Sequence, residues 1–379
     1  MVPAGEKLGP ERTGRMNRFQ DFIAERLPLE GTVFTRQELQ EYCRSESADP
    51  GVPGWRREVL DFMARFLDPE SGSLLQKSSG STGDPKTFTL SREAMVRSAQ
   101  RTLRFFGLKR GERALLALPV HYIAGKMMVV RALVGGLDLV LVKPSSRPIA
   151  ALSGPVAFAA LVPLQVEESL SHGDPLHLIS TLLIGGGELH PASREKLSLM
   201  EVTRAFESFG MTETYTHFAV KRINGPDPDT YFRVMEGVRV GTDTRGCLEV
   251  EVPGITDGPL HTSDMVEIRD GGTGFSWLGR FDNLINTGGI KIIPELLEDQ
   301  IRQVIGRECL VLPEPDRKLG SRLVLLVEYE GSPPVDAWME LLRERLRKHE
   351  LPRRVLAVRT LPRNPSMKPD RTSARGLVL

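Results

Sequence analysis

The apolar positions change their rhythm several times along the chain, and each change predicts a different element. From Asn17 to Leu67 they fall at helical spacing, first in Phe19, Phe22, Ile23 and Leu27 and again in Val59, Leu60, Phe62, Met63 and Phe66. The link between them, Ser45–Gly54, is rich in Ser, Asp, Pro and Gly. A strand over Ser73–Gln76, a Gly/Ser/Thr loop and a strand Thr87–Leu90 follow, and Ser91 is placed to cap a helix over Ala94–Phe106. Short apolar runs then recur at Ala114–Leu118, Leu137–Val142, Val156–Leu161, Leu182–Ile184 and Val202–Phe206, with helical stretches such as Met127–Leu133 and Leu164–Leu170 between several of them. Strands buried on both faces read as continuous apolar runs, so this alternation predicts α/β layering with a mainly parallel sheet.

After Gly210 the pattern shifts. Phe218–Ile223, Cys247–Val252, Val266–Arg269 and Phe275–Leu278 read as antiparallel or barrel-like strands set off by Gly, Pro and Asp turns. Gly279–Asp282 is a plausible domain boundary. Beyond it the sequence predicts a helix near Glu295–Ile305, strands Cys309–Leu312 and Leu323–Tyr329, a helix Val335–Lys348 and a strand Val355–Val358. The expected organisation is a disordered polar tail over residues 1–15, a large domain over 16–280 and a small α+β domain over 281–379.

Composition narrows the class without identifying it. A chain of 379 residues exceeds what one hydrophobic core usually serves, which favours two domains. A net charge of +1 gives no general reason to expect nucleic acid or an anionic membrane as partner. Cys43, Cys247 and Cys309 are scattered and form neither a disulfide framework nor a metal-ligand spacing. The first residues lack the apolar core of a signal peptide, and no run approaches the ~18 apolar residues of a membrane span. A cytoplasmic enzyme acting on small molecules fits these features. Oligomeric state stays open, a homo-oligomer included.

The chemistry concentrates first in Lys77-Ser-Ser-Gly-Ser-Thr-Gly-Asp-Pro-Lys86, where four of ten residues are Ser or Thr and two are Gly. Glycines let backbone approach a phosphate, hydroxyls donate to its oxygens, and lysines supply countercharge. A Ser/Gly hairpin turn would look similar in isolation, but basic residues sit at both ends and strands flank the loop. It is not a Walker A loop: reading from Gly80, that pattern needs Gly where Pro85 stands.

This run resembles the signature of the acyl-adenylate-forming superfamily of acyl- and aryl-CoA ligases, luciferases and peptide-synthetase adenylation domains. Further motifs of that superfamily follow in its order. By the resemblance, Ser78, Ser79, Gly80, Ser81, Thr82, Gly83 and Lys86 would hold the phosphates of ATP. Gly185, Gly186 and Gly187 would wall the nucleotide and acyl pocket. In Glu207-Ser-Phe-Gly-Met-Thr-Glu-Thr214, Glu207 and Phe209 would line the adenine, Thr212 would contact phosphate, and Glu213 would hold Mg²⁺. In Thr262-Ser-Asp264, with Ser263 in place of the usual Gly, Asp264 would bind the ribose. Trp277–Asp282 resembles the hinge signature, with Arg280 on ribose or phosphate and Asp282 as pivot, and Asn286–Lys291 resembles the glycine-rich loop beyond it. Pro362–Arg371 resembles the C-terminal motif of the catalytic lysine, here Lys368, with Met367 where Gly is usual. The resemblance spans about residues 73 to 371, and the part before the phosphate loop is shorter than in most members.

The activity this implies has two half-reactions: a carboxylate displaces pyrophosphate from ATP to give an acyl-adenylate, and a thiol, coenzyme A, then displaces AMP. Positioning and charge neutralisation carry such chemistry. Leu118-Pro-Val-His-Tyr-Ile-Ala-Gly-Lys-Met-Met128 resembles the superfamily's Pro-x-x-His-x-x-Gly segment, in which His121 would gate the acyl pocket. Lys126 and Arg131 add cations to an otherwise apolar helix, where either they meet a second carboxylate on the substrate or they simply face solvent. Within the superfamily these features look most like the 2-succinylbenzoate–CoA ligases of menaquinone biosynthesis. Another acyl- or aryl-CoA ligase, an enzyme loading a carrier-protein thiol, and a non-catalytic nucleotide-binding homologue remain alternatives.

Overall fold

The computed structural model describes residues 19–77, 87–363 and 369–378. The expected tail, the phosphate loop from Ser78 to Lys86, and Lys368 lie outside the described residues.

In chain order the strands and α-helices are β1 (Leu27–Leu29), β2 (Thr32–Phe34), α1 (Arg36–Ala48), α2 (Gly54–Leu67), β3 (Leu74–Lys77), β4 (Thr87–Leu90), α3 (Arg92–Phe106), β5 (Arg113–Leu116), α4 (Ile123–Gly135) and β6 (Asp138–Leu141). Next come β7 (Val156–Leu161), α5 (Pro163–His172), β8 (Ile179–Ile184), α6 (Pro191–Ser198), β9 (Arg204–Gly210), β10 (His217–Arg222), β11 (Phe232–Val234), β12 (Arg239–Thr242), β13 (Cys247–Glu251), β14 (Leu260–Arg269) and β15 (Gly274–Arg280). The remainder is β16 (Ile285–Thr287), β17 (Ile290–Ile292), α7 (Pro294–Ile305), β18 (Cys309–Asp316), β19 (Gly320–Glu328), α8 (Val335–Arg345), β20 (Arg354–Val358) and α9 (Arg371–Arg375).

The α/β layering read from the apolar runs is present. β6, β5, β7, β8 and β9 lie side by side and parallel. The order reverses between β5 and β7, because the chain steps from β5 out to β6 and then returns to the other side of β5. Ligands of open α/β sheets bind outside the carboxyl ends of strands at such a switch point. Strands after Gly210 continue this same sheet: β10, β11, β15, β14, β13 and β12 extend it in antiparallel fashion, and with β1 and β2 beyond β6 it has thirteen strands among the described residues.

The first fifty residues differ from the helical reading. Phe19–Phe22 form only a 3-10 turn, and Leu27 opens a hairpin, β1–β2, that pairs with the edge strand β6. Leu27 and Leu29 are buried with Pro28 between them, a period-2 arrangement too short to stand out beside the Phe19–Ile23 cluster. The two-helix part begins at Thr35, whose side chain and Glu38 make a reciprocal capping box. Ser91 caps α3 as expected, its hydroxyl accepting from the Ala94 N–H.

Three buried clusters, on the two faces of the parallel strands and among the antiparallel ones, draw only on residues before 280. Two others draw only on residues from Ile285 onward and sit on either face of the β18–β19–β20 sheet.

Candidate active site

The carboxyl edge of the parallel strands gathers motifs that the sequence spreads from Pro119 to Glu213. β5 runs into Pro119–His121, β8 into Gly185–Gly187, and β9 into the turn carrying Thr212 and Glu213. Gly125 shows why the first of these needs glycine. A β-carbon there would stand 2.3 Å from the Pro119 carbonyl oxygen and 2.9 Å from that of Leu118, so α4 can dock on the end of β5 only without a side chain. Gly185 is similar, since a β-carbon would meet the Ser208 hydroxyl at 2.3 Å.

Two hydrogen-bond anchors hold the β3–β4 pair, which flanks the Ser78–Lys86 run in the sequence, against this edge. On the β3 side, Gln76 is buried; its Nε2 donates to the His121 carbonyl at 3.0 Å and its Oε1 accepts from Lys126 Nζ at 2.7 Å. On the β4 side, the Ser91 N–H donates to the Tyr215 hydroxyl at 2.9 Å. Tyr215 sits in the left-handed region, at φ 62°, directly after the 3-10 turn Thr212–Thr214. The β3–β4 pair, the His121 segment and the Thr212–Glu213 turn are thereby brought together. Neither Gln76 nor Tyr215 carries a motif signal, so sequence reading passed over both.

The two cations of α4 do not face solvent. Lys126 is 9% exposed and Arg131 is 2% exposed. Burial, with a smaller contribution from Arg65, pulls the Lys126 ammonium down to about 8, and Phe62 lies beneath it at 5.9 Å. Burial alone brings the Arg131 guanidinium down to about 9. Arg131 Nη2 donates to the Thr216 hydroxyl at 2.6 Å, and its Nε finds no hydrogen-bond partner among the described residues. That hydroxyl also lies 3.0 Å from Nδ1 of His217, a fully buried ring held well below its usual range by burial and then by Arg131 and Arg101. The Thr216 hydroxyl accepts from the guanidinium, and the tautomer of the imidazole sets which of Thr216 Oγ1 and His217 Nδ1 donates to the other. Among the described residues no carboxylate pairs with either Lys126 or Arg131.

The other predicted residues fall as follows. His121 is exposed at the edge, its ring 4.2 Å from that of Tyr122. Gly186 and Gly187 are exposed in the turn after β8. Thr212 is half-buried and Glu213 is exposed, with no ion-pair partner among the described residues. Glu207 is buried and paired by both oxygens to Arg194 on α6, 2.6 Å at Nη2, so its carboxylate is already engaged. Phe209 is half-buried and meets the rings of Phe218, Phe232 and Phe275 edge-on at 5.8, 5.3 and 5.1 Å. Asp264 and Arg280 are direct partners across β14 and β15. Asp264 Oδ1 accepts from Trp277 Nε1 at 3.0 Å, which fixes the carboxylate by one oxygen, and Arg280 reaches Asp282 at 3.0 Å. Asn286–Lys291 form the β16–β17 hairpin with Gly288 and Gly289 at its turn.

The residues present fit a nucleotide with its metal better than a resident ion. Among the described residues no group of three His, Cys, Asp or Glu side chains could hold a metal. A single exposed carboxylate such as Glu213 suits Mg²⁺ only when phosphate oxygens and water supply the remaining ligands, as Mg²⁺ prefers. Glycine loops at the carboxyl ends of parallel strands, ahead of a carboxylate pinned beside an arginine, suit phosphates and a ribose.

Comparison with known proteins agrees with this geometry. A 2-succinylbenzoate–CoA ligase of Listeria monocytogenes is 27% identical over 328 residues, covering 79% of this chain and 68% of the relative. A probable 2-succinylbenzoate–CoA ligase of Mycobacterium tuberculosis is 29% identical over 328 residues, covering 79% and 83%. Among solved structures, an AMP-forming acyl-CoA synthetase/AMP-acid ligase II-like protein from Dyadobacter fermentans shares 30% identity, with 90% of this chain and 98% of that chain covered at a TM-score of 0.60. An o-succinylbenzoate CoA synthetase from Bacillus subtilis, solved with its acyl-adenylate intermediate, shares the fold at a TM-score of 0.73, with 18% identity over 93% and 95% of the two chains. The model of the AMP-binding enzyme family matches residues 24–254, the stretch that supplies the edge, its glycine turns and the Thr212–Glu213 turn, and the chain belongs to that family.

Proposed function

We propose that this AMP-binding enzyme is an AMP-forming acid–thiol ligase whose acid is an aromatic dicarboxylate, 2-succinylbenzoate, activated with ATP and Mg²⁺ and passed to coenzyme A. The observation that carries the substrate reading is the pair of buried cations on α4, Lys126 and Arg131, with no carboxylate partner among the described residues, the first joined through Gln76 to the His121 carbonyl and the second to Thr216. A buried charge is costly unless paired. A substrate with a second, unreacting carboxylate supplies the missing partner. Relatives named for that substrate at 27% and 29% identity support the same choice.

In the first half-reaction one carboxylate oxygen of the acid bonds to the α-phosphorus as the bond to pyrophosphate breaks. In the second, the thiol sulfur bonds to the acyl carbon, AMP departs with the bonding pair, and the thiol proton goes to solvent. The residues proposed to serve these steps do so by position and charge. The loop Ser78–Lys86 and Thr212 hold phosphates, Glu213 anchors Mg²⁺, and Asp264 and Arg280 hold the ribose. Gly185–Gly187 leave room for nucleotide and acyl group beside His121. Lys368 neutralises the charge developing between carboxylate and α-phosphate. Glu207 supports this floor through its pair with Arg194 rather than by touching the nucleotide. Phe209 offers an aromatic edge to the adenine from within its cluster.

The domain division proposed is 16–280 and 281–379, pivoting at Asp282, and the separate buried clusters on either side favour it. Pyrophosphate release measured with a panel of acids tests the whole reading. Release with 2-succinylbenzoate, followed by thioester on adding coenzyme A, is expected. Release only with monocarboxylic aryl or fatty acids would overturn the substrate, thioester only on a carrier-protein thiol would overturn the acceptor, and no release with any acid would overturn the enzyme.

A further inference from the structure

β3 breaks its own pattern at Gln76. Side chains alternate along a strand, and here Leu74 is buried, Leu75 is exposed and Gln76 is buried again, at 3% exposure. Gln76 therefore stands where an apolar residue would pack. A polar side chain in such a place costs free energy unless its groups are hydrogen-bonded, and breaks of the local pattern concentrate at functional sites.

The two ends of the amide are not interchangeable. The Lys126 ammonium can only donate and the His121 carbonyl can only accept, so Oε1 must face the first, at 2.7 Å, and Nε2 the second, at 3.0 Å. Glutamate could meet Lys126 but would set an oxygen against the His121 carbonyl. Leucine would fill the space and satisfy neither.

Lys126 is held entirely by neutral groups. It lies in the first turn of α4, where the helix dipole disfavours a cation. Burial, and then the like charge of Arg65 on α2, bring the ammonium down to about 8. Against these stand the Gln76 oxygen and the face of Phe62 at 5.9 Å. Both orient the ammonium and neither cancels its charge. Among the described residues only one of its three N–H bonds has an acceptor, which leaves two for the oxygens of a ligand carboxylate.

We propose that Gln76 is a positioning residue that sets the preference for a dicarboxylic over a monocarboxylic acid. It aims the Lys126 ammonium at the unreacting carboxylate, leaves that charge uncancelled, and through the same amide fixes the His121 backbone. A carboxylate at position 76 would answer Lys126 from within the protein and repel the one on the substrate. This inference rests on the reading of Lys126 as the partner of that carboxylate.

The test measures pyrophosphate release by the full chain on 2-succinylbenzoate and on a monocarboxylic aryl analogue, in wild type, Gln76→Glu, Gln76→Leu and Lys126→Met. Losing a charge-assisted contact corresponds to roughly ten- to a hundredfold in KM. Gln76→Glu is expected to raise KM for the dicarboxylate by that factor, with KM for the monocarboxylate and kcat on both acids within about threefold. Gln76→Leu removes the aim without adding a charge, and is expected to raise KM for the dicarboxylate by about three- to tenfold while sparing the monocarboxylate. If thermal unfolding shows that Gln76→Glu does not fold, Gln76→Leu decides alone. Equal losses on both acids, a rise in KM for ATP as large as that for the acid, or no change on either acid would overturn the role. Lys126→Met separates the two ideas. If it discriminates between the acids while neither Gln76 variant does, the positioning role fails alone; if it treats both acids alike, the reading of Lys126 and this inference fall together.

Discussion

Replacing Arg131 with methionine removes a charge while keeping an unbranched side chain of similar reach, and the structure gives opposite signs for its effects on stability and on catalysis. The guanidinium is fully enclosed, and burial brings it down to about 9. At ~1.4 kcal/mol per pH decade, that displacement from the ordinary arginine value bounds the burial penalty at about 5 kcal/mol. The variant also strips the Thr216 hydroxyl of its donor, which costs about 1–3 kcal/mol. The balance favours the folded variant by a few kcal/mol at most, seen as a rise in Tm. Substrate binding goes the other way. Losing a charge-assisted hydrogen bond to the unreacting carboxylate costs about 1.5–3 kcal/mol, or roughly ten- to a hundredfold in KM for the dicarboxylate. A monocarboxylic analogue should show no such loss, and KM for ATP should not move.

The pH dependence follows with a definite sign. Above about pH 9 the folded protein gives up the Arg131 proton while the unfolded chain keeps it, so wild-type stability rises with pH and the advantage of the variant shrinks. Initial-rate pyrophosphate release on both acids, with thermal unfolding at pH 7 and pH 9.5, reads all of this. A lower Tm with equal losses on both acids would show that Arg131 is a structural charge and refute the reasoning.

Lys126→Met should raise KM for the dicarboxylate by a similar ten- to hundredfold. In the wild type that KM should also climb as pH passes about 8 and the ammonium discharges; a flat profile from pH 7 to 9 would leave Lys126 as no more than an anchor for Gln76. Glu213→Gln should raise the Mg²⁺ concentration needed for half-maximal pyrophosphate release, and wild-type behaviour at limiting Mg²⁺ would remove Glu213 from the metal. Lys368→Ala should cripple adenylate formation yet spare thioester formation from preformed acyl-adenylate, as separate single-turnover measurements can establish.

Much of the molecule was legible from residue order because its signals are local. The apolar runs at Val156–Leu161 and Leu182–Ile184 are strands buried on both faces, and their shortness between helical stretches is what marked them as strands. The Ser91 cap, the Gly288–Gly289 turn and the placement of Asp264 two residues beyond Thr262 are each set within a few residues. The hairpin Leu27–Phe34 was not legible, since three-residue strands lack the length for a period to declare itself and owe their pairing to β6, about a hundred residues away.

Only the tertiary structure decided that the charges of α4 are buried. In the sequence Lys126 and Arg131 read equally well as solvated or as buried, because the answer depends on Gln76, Phe62 and Thr216 arriving from three other parts of the chain. The same holds for Glu295 and Arg371, whose meeting beside Asn283 no spacing encodes. Covalent neighbours and short-range periodicity determine strands, caps and turns. The electrostatic role of a side chain is set by how much water its folded surroundings exclude, and that is a property of long-range packing alone.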